Sequence, residues 1–231
     1  MSKALQLLHH KIANCTACPR LIAHCREVAT VKRRAYLDHE YWGKPVPGFG
    51  DPLARLLIVG LAPGAHGANR TGRMFTGDSS GDFLFNALHA TGFANQPTSR
   101  HRNDGLQLID AYLTAAGRCA PPGNKPTPEE LNTCRPYLLR ELVLLKNIQV
   151  VVCLGRIALD AYLRARDLGP ISRFKFGHAV LIDEQTPILC SYHPSRQNTQ
   201  TGRLTMPMLE AVFAKARQYL SFSATGHVKL P

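Results

Sequence analysis

Two stretches of this chain carry apolar residues without interruption, RLLIVG at 55–60 and IQVVVCLG at 148–155, and each ends at a glycine. A strand buried on both faces reads this way, because neither side of its pleat meets water. QLIDAYLT at 107–114 and PILCSY at 187–192 are weaker candidates of the same kind, and 179–182 is placed to pair with the latter. Helical spacing predicts helices over 3–13, 19–31, 80–91, 128–146, 156–166 and 205–221. The start at 128 is the best marked: Thr127 can cap, Pro128 suits a first turn, and Glu130 completes a T-x-x-E box. Strands interleaved with helices predict an α/β fold with a mostly parallel sheet covered on both sides. Sites in such sheets lie at the carboxyl ends of the strands. The two most unusual loops of the chain, 61–82 and 193–205, fall there.

Composition narrows the class. A length of 231 residues, 45% of them hydrophobic, fits one α/β domain spanning 1–231 and excludes global disorder. No run approaches the ~20 apolar residues that span a bilayer, and MSKALQLLHHKIANC lacks a signal-peptide core. The expectation is a cytoplasmic protein with no membrane partner. Lys and Arg number 28 against 16 Asp and Glu, a net charge of +12. That balance favours a polyanion as partner.

Seven cysteines are an odd number, in a chain too large to need disulfide staples. Cys15-x2-Cys18 near the start and Cys119-x14-Cys134 downstream offer four thiolates, the set taken by a [4Fe–4S] cluster or a structural zinc. Spacing leaves the two open, with a slight preference for zinc. Cys153 and Cys190 lie in apolar strands and read as core; Cys25 is left over. Lys32, Arg33 and Arg34 form a basic run, and GKPVPGFGDP at 43–52 is a Gly/Pro loop.

The segment GLAPGAHGANRTGRMFTGDSSG at 60–81 follows the first buried strand. Its glycines let backbone N–H groups approach a ligand, but it has neither G-x-G-x-x-G spacing nor G-K-[ST]. It carries His66, Asn69, Arg70, Arg73, Phe75 and Asp78, the last placed to start a helix. The segment HPSRQNTQTGRLT at 193–205 brings one histidine, two arginines and several amides and hydroxyls, an inventory suited to phosphates and bases.

With RCAPPGNKPTPEE at 118–130 and the C-x2-C at 15–18, these segments resemble the uracil-DNA glycosylase superfamily, and within it the family 5 (type b) enzymes. The resemblance covers essentially the whole chain. It implies a three-layer α/β/α sandwich around a four-stranded, mostly parallel sheet. It also implies a [4Fe–4S] cluster on Cys15, Cys18, Cys119 and Cys134, tying the N-terminal helices to the 119–134 loop. The implied reaction is hydrolysis of the N-glycosidic bond of uracil, hypoxanthine or another deaminated or modified base flipped out of double-stranded DNA. Two departures from family 4 matter. Leu61 stands where that family has an acid in G-E-A-P-G, and Ala115 stands where it has a base-reading Asn.

On this reading Asp78 positions water or stabilises the cationic sugar, and His193 bonds the departing base. Asn124 assists them. Gly60, Leu61, Ala62, Gly64, His66, Phe75 and Ala115 form the substrate pocket, with Phe75 stacked on the base. Arg70, Arg73, Arg196, Gln197, Asn198 and Arg203 contact DNA. Lys125 is the one lysine in these motifs, and between Asn124 and Pro126 it reads as a solvated side chain, so a Schiff-base lyase is disfavoured and a monofunctional glycosylase is expected. The further expectation is a monomer associated with the nucleoid. The competing expectation is a non-catalytic iron–sulfur DNA-binding module.

Overall fold

The structure, a computed structural model, describes residues 2–169, 171–182 and 185–224. In chain order come α1 (Lys3–Ala13), α2 (Pro19–Val31), β1 (Phe49–Gly50), β2 (Leu56–Gly60), α3 (Ala68–Thr71), α4 (Ser79–Ala90), β3 (Ala111–Ala115) and α5 (Pro128–Leu144). They are followed by β4 (Val150–Leu154), α6 (Arg156–Ala165), β5 (Leu181–Ile182), β6 (Ile188–Ser191), α7 (Arg196–Gln200) and α8 (Met206–Ala224). No helix among the described residues is long and apolar enough to cross a membrane.

One sheet runs in the order β1-β3-β2-β4-β6-β5. Its four inner strands are parallel, as the fold class requires, and a two-residue antiparallel strand closes each edge. The unbroken apolar runs are explained by two cores. Leu56 and Ile58 of β2, with Val150, Val152 and Leu154 of β4, pack against Leu84, Phe85, Leu209 and Phe213 of α4 and α8. The alternate residues Leu57, Val59, Val151 and Cys153 pack on the opposite side against Leu5, Leu8 and Ile12 of α1 and Leu159 and Leu163 of α6. Cys153 and Cys190 pair in register between β4 and β6 as core residues. The T-x-x-E box at Thr127 is present in full.

The third strand begins later than 107, and the reason is local. Asp110 adopts φ 56°, and its carboxylate takes two bonds from Arg55 Nε, one from Nη2 and one from the Arg55 backbone. That clasp turns the chain just before β3, and Leu108 bridges to Ala94 instead. The α3 and α7 turns were not expected inside the two loops. Gly72, at φ 73°, ends α3, and Ser195 starts α7 by accepting from the Asn198 N–H.

From β2 the chain goes to β3 on one side, and from β3 it crosses back to β4 on the other. The connections therefore diverge at the carboxyl ends of β2 and β4, the switch point where α/β sheets hold ligands.

Candidate active site

At that switch point Gly60 ends β2, in register with Ala115 at the end of β3. The Phe75 ring lies against Gly60 so closely that a Cβ there would meet Phe75 Cε2 at 2.7 Å. The opposite wall comes from the turn after β6, where the His193 ring sits 5.6 Å from the Phe75 ring at an angle of 30°. Gly155, the residue after β4, lies beside it; a Cβ there would lie 3.5 Å from His193 Cβ. The histidine turn and the glycine-rich turn thus meet through Phe75, although they are more than a hundred residues apart in sequence.

Phe75 holds φ 50°, a left-handed conformation costly for a bulky residue. A buried network keeps it there. Arg73 Nε donates to Thr76 Oγ1 at 2.9 Å, Arg73 Nη2 to Ser99 Oγ at 3.1 Å and to Asp104 Oδ2 at 2.7 Å, and Thr76 Oγ1 donates to Met74 O. Arg73 and the three backbone N–H bonds around it hold the Asp104 carboxyl well below the usual carboxylate range despite burial.

Asp78 is the N-cap of α4. Its Oδ1 accepts from the Gly81 N–H at 2.9 Å. Its Oδ2 points into the turn built by Gly64 and Gly67. A Cβ on Gly64 would meet that oxygen at 2.7 Å, and one on Gly67 would overlap it. Glycine is required here by close approach: the carboxylate occupies the space a side chain would take. Burial pushes the Asp78 carboxyl up, opposed by the N–H bonds of Gly81 and Ser80. Burial also pushes His193 down to about 4, so its imidazole is neutral at pH 7. Its carbonyl is pinned by the Ser195 N–H at 2.8 Å and by Asn198 Nδ2 at 2.8 Å, while no described residue bonds its ring nitrogens. The site therefore offers a partly desolvated carboxylate, a neutral imidazole with a free N–H, and an aromatic face.

The other expected residues divide. Leu61 and Ala62 follow Gly60 at half-buried positions, and Leu61 O accepts from the Gly117 N–H beyond β3. His66 bonds the Tyr41 hydroxyl through Nδ1 at 3.0 Å, and burial, then Arg33, lowers its pKa. Arg196, Gln197 and Arg203 are exposed on the histidine turn, with Arg203 over the Tyr192 ring at 4.5 Å. Asn198 is half-buried and its amide holds His193, so it shapes the turn rather than reaching for DNA. Arg70 and Arg73 need correction as phosphate contacts, because both are buried. Arg70 donates to His66 O and Gly77 O and stacks 4.0 Å from the Tyr36 ring; Arg73 is spent on Asp104. Asn124 sits on an exposed turn at φ 58°, and no hydrogen bond among the described residues ties it to Asp78 or His193. Tyr41 and Gly155 were missed. Gly155 carried a signal, as the glycine ending an apolar run; Tyr41 carried none.

The cysteines lie behind this site. Cys25 and Cys119 are buried with Leu21 and Ala120, and Ala65 of the glycine-rich turn packs on them. Cys25, set aside on sequence, is in hydrogen-bond contact with Cys119 and donates to Ala120 O at 3.7 Å. Asn69 Nδ2, from the same turn, donates to Cys25 O at 3.2 Å. Cys15, Cys18, Cys119 and Cys134 lie close enough to influence one another electrostatically. Yet no three His, Cys, Asp or Glu side chains among the described residues form a group that could hold a metal ion. Four thiolates are the donor set that a [4Fe–4S] cluster or a structural zinc takes.

Residues 47–221 match the family model described as "Uracil DNA glycosylase superfamily". The chain is 52% identical over 205 residues to a type-5 uracil-DNA glycosylase of Thermus thermophilus, covering 88% of this chain and 93% of that one. It is 50% identical over 214 residues to a type-5 enzyme of Mycobacterium tuberculosis, covering 91% and 80%. To a type-4 uracil-DNA glycosylase of Pyrobaculum aerophilum it is 30% identical over 217 residues, covering 91% and 90%.

Proposed function

The chain belongs to the uracil-DNA glycosylase superfamily, and from that premise we propose that it is a monofunctional glycosylase. It hydrolyses the N-glycosidic bond of uracil, and of hypoxanthine and other deaminated bases, in double-stranded DNA. It acts as a cytoplasmic, nucleoid-associated monomer and leaves an abasic site. The observation that carries this reading is the meeting of Phe75 and His193 over Gly60, on the same turn as the half-buried Asp78.

A base within a duplex cannot be reached, so it must be extruded, at a cost of a few kcal/mol that is smallest at a mispair. The Phe75 face receives it by stacking. Arg196 and Gln197, exposed on the histidine turn, fill the gap it leaves. The C1′–N bond breaks with its electron pair passing to the base. A ring N–H of neutral His193 donates to the base oxygen where that charge gathers. Water held by Asp78 adds its oxygen to C1′ and gives its proton to the carboxylate. Small, apolar Ala115 presents no amide to read one base edge, so the pocket tolerates several bases.

The test uses duplex oligonucleotides carrying uracil or hypoxanthine, followed by cleavage at abasic sites. Both are expected to be cut. The His193 contribution should stay level from pH 6 to 8, because its imidazole loses its proton near pH 4. His193→Ala should cost about a hundredfold in rate. Duplex binding with no free base would leave the non-catalytic iron–sulfur module in its place.

Cys15, Cys18, Cys119 and Cys134 would hold the [4Fe–4S] cluster, whose contribution is a structural cross-link. They join the α1–α2 turn to Cys119 in the β3–α5 connection and to Cys134, which lies within α5 rather than in a 119–134 loop. Arg20 makes the same tie independently, with Nε and Nη2 at 2.8 and 2.7 Å from the Glu130 carboxylate oxygens. The purified protein is expected to be yellow-brown with broad visible absorbance. Bleaching it should lower the melting temperature and loosen the glycine-rich turn, through Ala65 and Asn69. A colourless, fully active protein with one bound zinc would refute the cluster.

A further inference from the structure

Two of the four arginines expected to grip phosphate, Arg70 and Arg73, are buried, and each fastens an exposed basic segment to the glycine-rich turn. Arg70 stacks on Tyr36 of segment 32–44, and the Arg70 and Asn69 carbonyls accept from the Trp42 and Gly43 N–H groups at 2.9 and 3.0 Å. Tyr41 adds the bond to His66. Arg73 fastens segment 99–104 through Ser99, Asp104 and the Arg102 carbonyl, and Gly77 N–H donates to Ser99 O at 2.8 Å. The segments meet where Arg102 lies 4.6 Å over the Trp42 ring.

What these fastenings hold out to solvent is cationic. Arg33, Arg34 and Arg100 are exposed, and none makes an ion pair or side-chain hydrogen bond with a described residue. Lys32 Nζ is held by Leu37 O. Segment 32–44 carries four cations, Lys32, Arg33, Arg34 and Lys44, against the two exposed carboxylates of Asp38 and Glu40. Asp104 is neutralised by Arg73. Arg100 faces Asp82, so the unopposed pair is Arg33 and Arg34. The Arg33 charge also reaches His66 of the glycine-rich turn, whose ring bonds Tyr41 of the same segment.

We propose that segments 32–44 and 99–104 form a basic rim that binds the phosphodiester backbone of duplex DNA beside the flipped nucleotide, with Arg33 and Arg34 as its main contacts. Two arginines on a segment anchored at Tyr36, Tyr41 and Trp42 pay less ordering entropy on binding than those of a free loop would. The rim sits on the glycine-rich turn, whereas Arg196 and Arg203 sit on the histidine turn. The duplex is thus held from both sides of the site. This inference rests on the glycosylase reading for its partner.

The experiment titrates undamaged and uracil-bearing duplexes against the wild type and an Arg33→Ala/Arg34→Ala variant at several salt concentrations, and measures base release separately. Loss of two phosphate contacts should flatten the slope of log K against log[salt] by about 1.8 and weaken both duplexes about tenfold at low salt. The loss should appear in KM, and the melting temperature should hold because neither side chain makes an ion pair or hydrogen bond with a described residue. Arg100→Ala should flatten the slope by less. An unchanged slope and KM in the double variant, with the wild type releasing uracil, overturns the rim alone. A flattened slope with a wild type that releases no base keeps the rim and overturns the glycosylase reading.

Discussion

Asp78→Asn is expected to slow base release about a thousandfold while the protein keeps its fold and its grip on duplex DNA. Asn is as good an N-cap as Asp, so the Gly81 N–H bond that starts α4 survives the change. What is lost is the charge on Oδ2, the atom for which Gly64 and Gly67 leave room. Burial has already made that charge costly, which strengthens the carboxylate as a proton acceptor and as a partner for a cationic sugar. The sign of the pH dependence follows. A carboxyl with a raised pKa takes up its proton at higher pH than an ordinary one, so the wild-type rate should fall on acidification before ordinary carboxylates titrate. That limb should vanish in the Asn variant. Single-turnover release under enzyme excess, with duplex binding measured alongside, decides the matter. A full rate in Asp78→Asn would remove this residue from the chemistry.

The largest effect on stability is expected at Arg118. Its guanidinium is 1% exposed and the Glu141 carboxylate 0%; Nη1 and Nη2 meet the two carboxylate oxygens at 3.1 and 2.6 Å. Thr114 donates a third bond at 2.6 Å, and the buried Tyr112 hydroxyl lies beside the same carboxylate. Arg118→Leu strands a charge in the core and should cost about 3–5 kcal/mol, read as a lower urea midpoint with an unchanged m-value. Replacing both partners with apolar residues should recover most of that, because the penalty comes from the unpaired charge rather than from the lost attraction. A loss below about 1 kcal/mol in the single variant would mean that water reaches Glu141.

The inner strands β2 and β4 were legible because full burial leaves a continuous apolar run, and the start of α5 because its capping box lies within four residues. The late start of β3 was not, since it depends on Arg55 reaching Asp110 across the sheet's end. The site shows the same division. Gly60, Phe75, Asp78 and His193 lie in motifs whose spacing is local, and the structure brings Phe75 to both Gly60 and His193. Arg70 and Arg73 misled because a charged side chain in a polar loop reads as exposed. Their burial depends on Tyr36 and Asp104, each some thirty residues away. Asn198 likewise looked like a free amide until the fold turned it back onto His193.

The two-residue strands at the ends of the sheet bear on how the protein behaves when concentrated. A long open rim offers a row of unpaired backbone groups on which a second molecule can template itself. Here Phe49–Gly50 and Leu181–Ile182 are two-residue strands that run opposite to their neighbours. At Gly50, φ 140° and the close Ala111 carbonyl leave no room for a side chain. So short a ladder gives an incoming chain almost nothing to extend, and the molecule is guarded against edge-to-edge aggregation by the same strands that complete its sheet.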